Sequence, residues 1–320
     1  MTTPVLDIRD LSVSYHTDRG LLRALRNINM QILPGRIIGI VGESGCGKST
    51  LISAIIRLLA PNAQIENGSI LFRGNDLLGL EPEAMRALRG DEISMVFQDP
   101  MTSLNPVMTI GRQMTDIQYR DNRSKAAKLA RAASMLERVG IADPVEQLKR
   151  YPHHLSGGMR QRVVIAMALM AEPALLIADE PTTALDATLE VQIIHRLQQL
   201  QQDVGCAILF ISHHLGVIAE LCDEVVVMYA GEVVESGPTR EVFLEARHPY
   251  THKLLQCDPA RIEQATRTLP VIAGNLPDLA EIPVGCVFKP RCDVSIELCT
   301  RERPPLDGND HCTACHVSGQ

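Results

Sequence analysis

Residues 36–50 read Arg36-Ile37-Ile38-Gly39-Ile40-Val41-Gly42-Glu43-Ser44-Gly45-Cys46-Gly47-Lys48-Ser49-Thr50. An apolar run, a glycine-rich turn and a Gly-Lys-Ser end follow one another. Residues 49–59 behind them are long and apolar enough for a helix. Strand, glycine loop and helix in this order aim backbone N–H groups and a helix dipole at an anion. Gly42, Gly45 and Gly47 let the main chain wrap closely around it. The spacing Gly42-x-x-x-x-Gly47-Lys48-Ser49 is the phosphate-loop pattern. Lys48 is expected to place its charge on the β- and γ-phosphates, and Ser49 its hydroxyl on Mg²⁺. Glu43, Ser44, Cys46 and Thr50 are the loop's other expected nucleotide contacts. No Gly-x-Gly-x-x-Gly opens this helix, which disfavours a dinucleotide fingerprint.

A second apolar run, Ala174-Leu175-Leu176-Ile177-Ala178, ends in Asp179-Glu180. An acidic pair at the end of a buried strand suits phosphoryl chemistry: Asp179 to hold Mg²⁺, Glu180 to orient or deprotonate a water. Two further apolar runs end in polar residues. Ile93–Phe97 leads into Gln98, and Ala207–Ser212 leads into His213. Both side chains are candidates to reach a γ-phosphate or the water shell of Mg²⁺. Tyr15, on an early strand, can stack on an adenine ring, although an aromatic in a strand is more often packing.

Residues 155–161 read Leu155-Ser156-Gly157-Gly158-Met159-Arg160-Gln161 and open the apolar segment 159–171. Ser156 suits an N-cap, and the positive end of such a helix can face an anion. These pieces in this order resemble the ATP-binding subunits of ABC transporters, over residues from about 5 to 255. In that resemblance Tyr15 stands for the adenine-stacking aromatic and Gly42–Ser49 for Walker A. Gln98 corresponds to the Q-loop, Leu155–Gln161 to the signature, Leu175–Glu180 to Walker B, Ala184-Leu185-Asp186 to the D-loop and His213 to the switch histidine. His214 departs from the family, which often has Asp there. The resemblance implies a site shared by two subunits, in which Ser156, Gly157, Gly158 and Gln161 of one face ATP held by the other.

A narrower resemblance lies in Gln98–Pro106 and in Arg247-His248-Pro249-Tyr250-Thr251-His252-Lys253-Leu254-Leu255. Both look like the oligopeptide, dipeptide and nickel import branch. The implied partners are a second ATPase subunit, two transmembrane permease subunits and an extracytoplasmic solute-binding protein. The implied place is the cytoplasmic face of the inner membrane, as a peripheral subunit. Import of nickel or another small solute is the alternative to peptides.

Nine cysteines are unevenly spread, five of them between 286 and 315. The scattered ones read as reduced thiols. In the importer branch, residues matching Cys286, Cys292, Cys299 and Cys315 are associated with a [4Fe–4S] cluster, for which four thiolates are the usual ligands. Zinc is the rival, since Cys312-x-x-Cys315 is flanked by His311 and His316. A tail without metal is the third reading. A segment this short buries little core, so a cluster would act as its staple.

The implied fold is α/β: a P-loop NTPase core with an antiparallel β subdomain, a helical signature subdomain and a short C-terminal cysteine-rich segment. Strands are expected at 5–32 and 69–73, and an amphipathic helix at 124–139 with Leu129, Ala133 and Leu136 on one face. The expected boundaries are a nucleotide-binding domain over 1–257, its helical part at about 100–165, and a tail over 258–320. The longest purely apolar run, Val163–Ala171, is nine residues, against the roughly 20 that span a bilayer. A net charge of −7 and the lack of Trp argue against a nucleic-acid reader; an ABC ATPase of repair or translation is disfavoured because its usual coiled-coil or zinc-module insertions and doubled ATPase unit find no counterpart in these residues.

Overall fold

A computed structural model describes residues 3–99, 103–182, 187–258 and 270–318. It divides into two compact units. The first holds the described residues of Met1–Val5, Leu33–Arg36 and Leu80–Ile211; the second holds Leu6–Ile32, Ile37–Gly79 and the described residues of Ser212–Gln320.

In the first unit the strands Ile93–Val96, Leu175–Asp179 and Ala207–Ile211 pair in parallel, in that spatial order. Leu175 to Ala178 and Ala207 to Ile211 are buried without interruption. Unbroken apolar runs of this kind belong to parallel strands covered on both faces. Removing each Ile, Leu or Val from water contributes about 2 kcal/mol. The helix Lys125–Arg138 is capped by Ser124, whose Oγ accepts from Ala127 N–H at 3.3 Å, and Gly140 at φ +78° ends it. Its buried residues are Ala132, Met135 and Leu136; of the expected stripe Leu136 is buried, while Leu129 and Ala133 are only half-buried. The helix Gly157–Met170 begins two residues earlier than expected, because Ser156 caps it through Met159 N–H at 3.3 Å.

In the second unit Leu6–Thr17 pairs antiparallel with Gly20–Ile32 on one side and with Ala63–Phe72 on the other. The third of these strands starts six residues before the expected 69. Gln64, Glu66 and Asn67 hide it from a hydrophobic pattern, yet Ile65 sits opposite Val13, and Ser14 Oγ donates to Glu66 Oε1 at 2.6 Å. The strand Ile37–Val41 is wholly buried and runs parallel to Glu224–Tyr229. The latter pairs antiparallel with Glu232–Pro238, which carries the short strand Cys312–Thr313 on its far edge.

The described residues of the cysteine-rich tail share a unit with the phosphate-loop strand. Several polar links pin it. His311 Nε2 lies 2.7 Å from Glu235 Oε1, a carboxylate with no exposed surface. Arg247 Nη1 donates to His311 O at 2.7 Å. Arg303 pairs with Glu232 at 2.7 Å, and Glu232 also pairs with the buried Arg26 at 2.8 Å.

Candidate functional site

The phosphate loop joins Ile37–Val41 to the helix Lys48–Ile55, with Gly47 as its N-cap. Two glycines are irreplaceable by geometry. Gly42 has φ +153°, and a Cβ there would lie 2.2 Å from Met228 O and 2.7 Å from Cys46 Sγ. Gly47 has φ +108°, and its Cβ would lie 2.8 Å from Leu25 Cδ2 and 2.9 Å from Ala24 O. Backbone closes on the loop from behind, so it can turn only where there is no side chain. Gly231 N–H donates to Cys46 O at 2.9 Å and holds the turn. Lys48 Nζ lies inside the loop and donates to Gly42 O at 2.6 Å and Glu43 O at 3.1 Å. Ser44, Gly45 and Ser49 are exposed at its rim. Burial pushes the Cys46 thiol pKa up, against the pull of Lys48, so it is a packed neutral group.

Tyr15 faces the helix that follows the loop: its hydroxyl is 3.2 Å from Thr50 Oγ1. His213 begins the turn after Ala207–Ile211, and its ring meets His214 edge-on at 4.3 Å between centroids.

In the first unit Gln98 and Glu180 come together, Gln98 Nε2 donating to Glu180 Oε2 at 2.9 Å. Glu180 follows directly on the strand that ends at Asp179, and its N–H donates to Ile211 O at 2.9 Å. Its φ is +46°, a left-handed conformation that a side-chain-bearing residue adopts only under constraint. No sequence signal announces that strain. At the signature, Ser156 and Gly157 are exposed whereas Gly158 and Gln161 are buried. The first turn of any helix leaves N–H groups without intrahelical acceptors; here Met159 N–H is taken up by Ser156 Oγ. Asp186, with Ala184 and Leu185, lies outside the described residues, as do Pro100, Met101 and Thr102.

Sequence reasoning missed Arg291, Tyr229 and Tyr250. The Arg291 guanidinium forms a forked pair with Glu43 of the loop, Nη1 to Oε2 at 2.8 Å and Nη2 to Oε1 at 3.0 Å. Burial opposes the Arg291 charge, but the hydrogen bonds to Glu43 and Tyr229 outweigh it and raise the pKa. Glu43 N–H donates to Tyr250 Oη at 2.9 Å.

The tail cysteines need a correction. Burial raises the thiols of Cys286 (to about 11), Cys292 and Cys315, and charge on Cys299 raises all three further. The four are thus neighbours. Among the described residues, however, no group of three or more His, Cys, Asp or Glu side chains is placed to hold a metal ion. That placement gives the expected [4Fe–4S] ligand set of Cys286, Cys292, Cys299 and Cys315 no support; the raised thiol pKa values do not bear on it, since ligation itself displaces the thiol proton. The zinc rival fares no better. His311 is committed to Glu235, and His316 Nε2 lies 3.0 Å from Glu302 O.

Comparison with known proteins bears on the same residues. A family model described as ABC transporter matches residues 25–183. A second, described as Oligopeptide/dipeptide transporter, C-terminal region, matches 234–299. A probable peptide ABC transporter ATP-binding protein of Sinorhizobium fredii is 45% identical over 99% of this chain and 96% of its own length. An oligopeptide transport ATP-binding protein of Bacillus subtilis is 45% identical over 95% of this chain and 86% of its own. A dipeptide transport ATP-binding protein of the same organism is 44% identical over 99% and 95%. Among solved structures, a dimeric ATP-binding cassette in a post-hydrolysis state bound to ADP and Pi superposes with a TM-score of 0.65 at 27% identity, over 73% of this chain and 99% of that one. An ABC transporter component from Clostridium perfringens superposes with a TM-score of 0.66 at 30% identity, over 76% and 92%.

Proposed function

This chain belongs to the ABC transporter ATP-binding family, in the branch that carries the oligopeptide/dipeptide C-terminal region, and from that premise we propose that it hydrolyses ATP to drive the import of short peptides. The observation that carries the reading is a phosphate loop with its lysine turned inward, in a chain that also brings a strained carboxylate to the glutamine at a strand end. Lys48 and the loop N–H groups hold the phosphates, and Tyr15 packs on the adenine. Glu180 orients the attacking water, with Gln98 and His213 sensing the γ-phosphate. Ser49, Asp179 and Gln98 are the residues that would hold Mg²⁺, whose charge would offset that of the phosphates.

The residues from 1 to 257 act as the nucleotide-binding domain, and those from 258 to 320 as its tail. Ser156, Gly157, Gly158, Gln161 and Asp186 complete the site of a second ATPase subunit. The dimeric cassette bound to ADP and Pi supports that arrangement by similarity.

No helix among the described residues is long and apolar enough to cross a membrane. Membrane attachment therefore falls to partners, two permease subunits at the cytoplasmic face of the inner membrane, served by an extracytoplasmic binding protein. A groove of about 440 Å³ lined by Phe97, Ser103, Tyr119, Arg120, Met167 and Ala171 directly follows the Gln98 strand and suits a permease segment. Phe97 and Tyr119 are exposed there.

The cluster rests on resemblance alone: Cys286, Cys292, Cys299 and Cys315 match the importer branch's cysteines, and four thiolates are the usual ligands of a [4Fe–4S] staple. Anaerobically purified chain should then contain about four irons; zinc-loaded or metal-free protein would remove the cluster from the account. The import reading is tested in proteoliposomes holding the complete transporter. ATP-dependent accumulation of a labelled peptide is expected, and its absence while nickel accumulates would refute peptide import.

A further inference from the structure

We propose that Arg291 is a positioning residue for nucleotide binding: from the cysteine tail it fixes Glu43, and through Glu43 it sets the affinity of the phosphate loop. The inference rests on the ATPase reading above and adds a control element to it. Arg291 stands in the short turn between Phe288 and Cys292, and only 4% of its side chain is exposed. Its donors are all used. Beyond the fork to Glu43, Nε donates to Ala273 O at 3.0 Å, Nη2 to Ile272 O at 2.9 Å and Nη1 to Tyr229 Oη at 3.3 Å. The guanidinium also lies 5.7 Å from the centre of the Tyr229 ring. Lys253 Nζ donates to Arg291 O at 2.8 Å and so anchors the backbone as well.

Glu43 is consequently held at two points, its carboxylate by Arg291 and its N–H by Tyr250 Oη. Tyr250, Tyr229 and Phe288 pack on one another with centroids 4.7, 5.1 and 5.4 Å apart, so the second anchor is stiff too. The other end of the same residue matters for the phosphates: Glu43 O, with Gly42 O, accepts from Lys48 Nζ. The orientation of this peptide decides how the ammonium is presented.

Charge points the same way. A carboxylate next to the site of a polyphosphate repels it unless a cation neutralises the carboxylate. A bidentate Arg does this with fixed geometry, which Lys cannot reproduce. Losing Arg291 therefore loosens the loop and uncovers a negative charge beside it, and both effects lower nucleotide affinity. Arg291 sits next to Cys292, and Cys286 is two residues from Phe288, so the state of the tail reaches the loop by this path.

The test is a double-mutant cycle on the complete transporter, with apparent KM for ATP, kcat and equilibrium binding of a non-hydrolysable ATP analogue as readouts. Arg291→Gln should raise KM and the analogue Kd about tenfold, with kcat within about twofold of wild type. In a Glu43→Gln background the same change should have no further effect. A wild-type KM in Arg291→Gln, an equal loss in both backgrounds, or a fall in kcat at unchanged KM would overturn the proposal, the last two marking a purely structural role. Should Arg291→Gln fail to fold, Arg291→Lys decides. It keeps the charge without the fork, so a few-fold rise in KM that vanishes with Glu43→Gln supports the coupling, and a wild-type KM defeats it. A wild-type transporter that binds no analogue would instead defeat the ATPase reading itself.

Discussion

If Glu180 orients the attacking water as proposed, Glu180→Gln separates chemistry from binding in this molecule. The substitution is nearly isosteric, and the new carboxamide oxygen can still accept from Gln98 Nε2, which donates to the carboxylate at 2.9 Å. The backbone bond from residue 180 to Ile211 O does not involve the side chain. The φ of +46° costs Gln as much as Glu, since neither is glycine. The native-state cost is then the charge assistance of one exposed hydrogen bond, about 1 kcal/mol or less. Loss of a general base, by contrast, typically lowers a rate by about 10² to 10⁴. That is about 3–5 kcal/mol on the barrier. Phosphate release at saturating MgATP should accordingly fall by about 10² or more, while the nucleotide Kd and the melting temperature stay close to wild type. Turnover within about threefold of wild type would remove Glu180 from its role, and a parallel loss of binding would mean that the side chain serves structure.

Three further outcomes follow from single contacts. Lys48→Ala removes the ammonium that now bonds Gly42 O and Glu43 O; ATP affinity should drop by at least about tenfold in an equilibrium titration, and an unchanged Kd would contradict the loop assignment. Gly42→Ala puts a Cβ 2.2 Å from Met228 O at φ +153°, so chemical denaturation should show a loss of about 2–4 kcal/mol; wild-type stability would show that the loop can relax. Burial first and His252 second push the His248 pKa from 6.5 down to about 3. The unfolded chain thus binds the extra proton below pH 6.5, and stability intact above that pH is lost as the pH falls toward 3, by at most about 1.4 kcal/mol per pH unit. His248→Asn should flatten the decline between pH 6.5 and 4.5, and an unchanged slope in denaturant titrations would refute the assignment.

What could be read from the sequence is what is encoded locally. The loop Gly42–Ser49, the acidic pair after Leu175–Ala178 and the Ser156 cap each lie within one short window, where spacing and apolar runs fix the geometry. What escaped was set by contacts distant in sequence. Arg291 lies 248 positions from Glu43, and nothing around it in the chain marks a partner in the loop. Ala63–Phe72 gains its strand identity from pairing with Leu6–Thr17, despite a polar first half. The left-handed turn at Glu180 is imposed by its surroundings and has no signature among side chains. The cysteines are the case where sequence and structure do not meet. The resemblance implied a cluster on four of them, whereas among the described residues no group of three or more side chains is placed to hold a metal ion.

The claim beneath the whole account is that ATP joins two subunits by bridging the loop around Lys48 and the helix tip at Ser156. It is tested most directly by the sedimentation mass of the Glu180→Gln chain, mixed with its companion ATPase subunit, with and without MgATP. The account predicts a dimer that forms with ATP and disperses when the nucleotide is removed. Monomers at saturating MgATP would contradict it.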